Sequence, residues 1–163
     1  MNPLYKYFSQ MHTYNAMKLL PFEGMKGFSL IVSGKHKEPH LEKHLKIHLK
    51  NCKHFCEVFL LAYRKPGEAI MKDPFLYNGI TRFVQNLEKE KLNEIYQGLE
   101  KVLNTTDKIL NGDQFPRGSQ ECYQILENLY KEIKNTIEPP ISPWPKPGRL
   151  LYEPFKSGYS NKA

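Results

Sequence analysis

Arginine is scarce in this chain: of its 24 basic residues only four are Arg. Lysine holds charge diffusely, whereas the planar guanidinium fork reads phosphates and guanine edges in pairs, so this composition argues against sequence-specific nucleic-acid readout. Cysteine is scarce too, with three residues, an odd number, two of them four apart. That is not the framework of a small secreted domain, and it points to a reducing, intracellular setting, in the cytoplasm or an organelle interior such as the mitochondrion. No run of about eighteen apolar residues could cross a bilayer, and the N-terminus has no apolar segment followed by a cleavage site. Residues 1 to 22 carry Lys6 and Lys18 without an acid but also without an Arg, which is too little for an organelle presequence. A phosphate-cradling glycine loop, a nucleophile elbow, a paired-histidine zinc motif and a dinucleotide fingerprint are all missing. The expectation is therefore a protein that is not an enzyme.

What is present suffices for a core. The 163 residues include 40% hydrophobic side chains, with ten Tyr and nine Phe, and 25% charged ones. A chain of this size and composition folds as one domain without staples. The net charge of +7 is uneven, because residues 35 to 65 carry eight basic residues against three acids, while residues 66 to 137 are slightly acidic.

Hydrophobic spacing predicts an all-α protein, a bundle of four to five helices over residues 1–137, followed by an extended arm over residues 138–163 rich in Pro and aromatics. A first helix runs over residues 3 to 20 and is closed by Pro21. Gly24 and Gly27 then punctuate the chain, and Phe28 to Val32 reads as an extended connector. The second helix starts near Pro39, a first-turn proline, and runs to Tyr63 before Pro66-Gly67 stops it. Asp73 caps a third helix from Pro74. Its apolar stripe changes phase near Glu88 to Lys91, which signals either a short break or one long helix that changes neighbours. Ser119 caps a last helix with the cleanest stripe in the chain, from Cys122 to Ile137, ended by Pro139-Pro140.

The second helix carries the one unusual pattern. His36, His40, His44, His48, Cys52 and Cys56 recur at every fourth position. Neighbours four apart on a helix can chelate one ion, but each step of four turns about 400°, so six members wrap roughly 200° and cannot converge. If zinc or another transition metal is held, His44, His48 and Cys52 are the ligands, with Cys56 or the distant Cys122 completing a tetrahedron. The simpler reading expects no cofactor. Cys52, Cys56 and His48 fall on the same face as Leu45, Leu49, Phe55 and Phe59, and buried Cys is common and inert. A thiolate pairing of Cys52 with His48 is also drawable, yet no carboxylate that would orient His48 is evident.

On the opposite face Lys43, Lys46, Lys50 and Lys53 form a basic row suited to an anionic neighbour, either RNA or an acidic protein. No aromatic platform for stacking bases accompanies it, so any RNA association would not be sequence-specific. In the arm, Trp144, Leu151, Tyr152 and Phe155 are the anchors that would dock on protein partners. Together these features suggest a subunit or interaction protein of a larger complex.

Overall fold

The structure, a computed structural model, describes residues 2–114 and 117–144. It is all-α, as the spacing predicts. Six α-helices occur among the described residues: α1 Pro3–Val32, α2 Pro39–Arg64, α3 Pro66–Lys72, α4 Pro74–Val84, α5 Lys89–Leu110 and α6 Ser119–Thr136. A single 3₁₀ turn, Lys35–Lys37, joins α1 to α2. Prolines open α1, α2, α3 and α4, where the missing N–H would have had no partner in any case.

The central helix differs from its sequence expectation. Helix α1 does not end at Pro21 but continues through Gly24 and Gly27 to Val32, so Phe28 to Val32 is helix rather than connector. An interior proline costs about 3 kcal/mol because a backbone hydrogen bond is lost. Burial of Phe28, Ile31 and Pro21 itself opposes that cost. The two glycines are contact points and not breakers. A Cβ on Gly24 would lie 2.7 Å from both Cys52 Sγ of α2 and Leu126 Cδ1 of α6, and one on Gly27 would lie 3.0 Å from Leu49 Cδ2. Only a residue without a side chain lets α1 approach both neighbours so closely.

Two boundaries also moved. Pro66 does stop α2, but it immediately opens the short α3, which the turn-like Pro66-Gly67 pair hid from the sequence reading. The phase change before α5 is a genuine break, and it lies at residues 85–88, ahead of Lys89. Ser119 is not the cap of α6 but its first residue, and the cap position is taken by Gly118 at φ 83°.

One hydrophobic core draws on all six helices, with Met17, Phe28, Leu49, Phe55, Phe59, Ala69, Ile80, Phe83, Leu99, Leu126 and Ile133 fully enclosed. Helix α1 packs on α2, α4 and α6, and α2 on α5. Beyond Thr136 the chain leaves the helix, and Trp144 comes back over the start of α1, with ring centroids 6.4 Å from Tyr7 and 6.1 Å from Phe8. The remaining arm anchors, Leu151, Tyr152 and Phe155, lie outside the described residues.

Candidate functional site

The sequence puts the candidate chemistry on α2, and the structure divides its ladder among four environments. His40 and His44 are exposed, with His40 3.5 Å from Glu38. His36 sits in the 3₁₀ turn rather than on the helix. His48 is half-buried. Cys52 and Cys56 are completely enclosed. The proposed ligands His44, His48, Cys52 and Cys56 thus run from solvent into the core along one helix. Among the described residues no three or more His, Cys, Asp or Glu side chains are grouped so as to hold a metal ion.

Each half-buried histidine of α2 has a carboxylate that the sequence did not disclose. Nδ1 of His48 lies 3.1 Å from Oε2 of Glu23, whose Oε1 accepts a hydrogen bond from Asn51 Nδ2 at 3.1 Å. Burial pushes the Glu23 carboxyl up, but the bonds from His48 and Asn51, with the charges of His48 and Lys26, outweigh it and hold the group below the usual carboxylate range. Glu23 reaches His48 only because α1 runs on past Pro21. Cys52, one turn beyond His48, is sealed from solvent, so the Glu23–His48 pair has no accessible thiol to activate.

Cys56 and Cys122 resist ionisation. A hydrogen bond with Cys52 and full burial push Cys56 well above its ordinary value, and burial likewise raises Cys122. A thiolate is the nucleophile and the metal ligand, so groups held protonated are poor at both tasks. All three cysteines are free.

The second histidine pair ties α2 to α4. His54 Nε2 is 2.7 Å from Asp73 Oδ2, while Asp73 Oδ1 accepts the Leu76 N–H at 3.0 Å and so caps α4. Burial raises the Asp73 carboxyl, but the bonds from His54 and Leu76 and the charges of His54 and His12 prevail, and the net displacement is downward. A depressed carboxylate contributes stability that is complete above the unfolded value of about 4 and is lost as pH falls through the folded one. The melting temperature should therefore drop on acidification below about pH 4. Asp73→Asn, which keeps a competent cap but removes the charge, should flatten that drop. Thermal melts of both proteins across the acid range check this, and parallel curves would show that the pair does not couple to folding.

The four lysines of the row have different surroundings. Lys43, Lys46 and Lys50 are exposed, and Lys46 is 3.5 Å from Glu42 one turn away. Lys53 is engaged with Asp107 of α5 at 2.8 Å, and that bond raises its pKa. It is therefore a packing contact rather than part of a free face. Lys35 and Lys37, in the turn that leads into α2, extend the row at its other end.

No helix among the described residues is long and apolar enough to cross a membrane. Compared with family models, curated proteins and solved structures, the chain matches none.

Proposed function

We propose that this protein is a non-enzymatic helical subunit of a larger intracellular assembly. It docks an acidic surface of a neighbouring protein on the basic face at the start of α2 and is strapped to the assembly by residues 138–163. The observation that supports this is the state of the cations. Lys53, Lys46 and Arg64 each have a carboxylate partner, whereas Lys35, Lys37, Lys43 and Lys50 have no ion pair or hydrogen bond from their side chains among the described residues. Uncompensated like charges gathered at one end raise the local potential and favour an anionic neighbour. The start of the strap offers a second hold, since Trp144 remains 55% exposed beside the exposed Phe8. Aromatic rings left half in water are typical anchors of interfaces.

The test is co-purification of the full chain with its natural partners from native extract, beside a Lys43→Glu/Lys50→Glu variant and a chain truncated after Ile137. Association of the double variant should fall by about tenfold or more and become less salt-dependent. The truncated chain should dissociate faster. Unchanged recovery of both variants would end the docking reading. Recovery of RNA in place of an acidic protein would transfer the basic face to the other anionic partner. Metal retained by protein purified without a tag, and lost in a His44→Ala/His48→Ala variant, would favour a metal-binding bundle instead.

A further inference from the structure

Away from α2, the crossing of α1 and α4 leaves two adjoining hollows. The helices are held close because Gly79 has no side chain, a Cβ there overlapping Met17, and because Thr13 Oγ1 donates to the Phe75 carbonyl oxygen at 3.1 Å. On one side of the crossing lies a cavity of about 480 Å³ between α1, α4 and the non-helical segment of residues 137–143. On the other lies one of about 580 Å³ against Pro74 and Phe75. Lys6, Gln10, Thr13 and Arg82 line both.

From this arrangement we infer that the α1–α4 groove is a binding site for a small amphiphilic carboxylate, a free acid that bears an acyl chain. Three features carry the inference. The ammonium of Lys6 and the guanidinium of Arg82 have no ion pair or hydrogen bond among the described residues, so two cations on different helices line one cleft without a paired carboxylate. Arg in particular offers a planar pair of donors that matches a carboxylate. The hollow beneath residues 137–143 has an apolar side formed by Tyr7, Met17, Ile137 and Pro139, and its volume of about 480 Å³ falls within the range of about 300–1,000 Å³ usual for small-molecule sites. The third feature is that the chain's own continuation is a poor occupant on charge. Residues 145–163 carry four basic side chains against one acid, and so do not complement Lys6 and Arg82.

The acyl chain lies in the apolar hollow roofed by residues 137–143, and the carboxylate meets Arg82 and Lys6 where the two hollows join. Glu138 is the single acid in either lining and opposes the anion. The site is independent of the basic face of α2, and so can stand or fall apart from the docking role proposed above.

The experiment is titration of the full chain with decanoate, followed by calorimetry and by amide chemical shifts, beside acetate and decanol as probes that lack the chain or the charge. Decanoate should bind saturably and shift amides of residues 6–17 and 79–82. Decanol and acetate should each bind about tenfold more weakly or worse. Lys6→Gln/Arg82→Gln, both at exposed positions and so expected to fold normally, should weaken decanoate by about tenfold or more. Glu138→Gln should strengthen it, and Lys43→Glu/Lys50→Glu should leave it unchanged. Absence of saturable binding overturns the inference, as does equal binding of decanol, or a loss that follows the α2 variant and spares the Lys6/Arg82 variant.

Discussion

Phe59→Ala is expected to lower the stability of the protein by about 3–5 kcal/mol, the usual cost of deleting a buried phenyl ring. Phe59 is fully enclosed on α2, and its ring meets Phe55 of the same helix at 5.8 Å, Phe83 of α4 at 6.4 Å and Tyr96 of α5 at 5.6 Å. Three helices therefore share one side chain, and the cavity left by alanine cannot close by a shift of any single element. In a chain of this size each kcal/mol moves the melting temperature by about 2–4 °C, so a fall of roughly 6–20 °C should appear in a thermal melt. Tyr63 makes the internal control. It stacks on Tyr96 with centroids 4.4 Å apart, yet is 61% exposed, so Tyr63→Ala should cost no more than about 1.5 kcal/mol. Burial pushes the Tyr96 hydroxyl up to about 12, which keeps that ring neutral throughout the measurement. Equal melting of the Phe59 and Tyr63 variants would refute the enclosure of Phe59 between α2, α4 and α5.

The face that α2 buries was legible, because Leu45, Leu49, Phe55 and Phe59 recur at helical spacing and local periodicity needs no knowledge of the neighbour. The Asp73 cap was legible for the same reason, being a signal within one turn. What could not be read was every contact that depends on which helices meet. Glu23 is 25 residues from His48 in sequence, and Asp107 is farther still from Lys53. Nothing along the chain marks them as partners. The lysine row consequently looked like one continuous face of four, whereas packing against α5 withdraws Lys53 from it. Lys6 and Arg82 passed unnoticed because each is an ordinary surface cation until α1 and α4 cross. For Leu151, Tyr152 and Phe155 the expectation rests on composition alone.

Helix α1 was misread for a different reason, and that reason yields the second large expected effect. Pro21, Gly24 and Gly27 are breakers by intrinsic propensity, so a reading from propensity ends the helix at Leu20. In the folded chain the glycines are selected by distance to α2 and α6. Substitution should separate these two roles. By propensity alone, Gly24→Ala would stabilise a helix by about 1 kcal/mol. The new Cβ, however, would meet Cys52 Sγ and Leu126 Cδ1 at 2.7 Å, from two different helices, in the middle of the core. Overpacking of this kind costs about 1–3 kcal/mol, and it should prevail, so that Gly24→Ala lowers stability by up to about 2 kcal/mol and the bulkier, β-branched Gly24→Val by about 3 kcal/mol or more. Gly67 in α3 provides the opposite case, since a Cβ there meets nothing within 4 Å and its backbone is helical. Gly67→Ala should therefore be neutral or stabilising by up to about 1 kcal/mol. Chemical denaturation of the three variants, compared at equal m-values, measures both signs. If Gly24→Ala proved as stable as Gly67→Ala, α1 would not lie against α2 and α6 as closely as described, and Glu23 would have no reason to face His48.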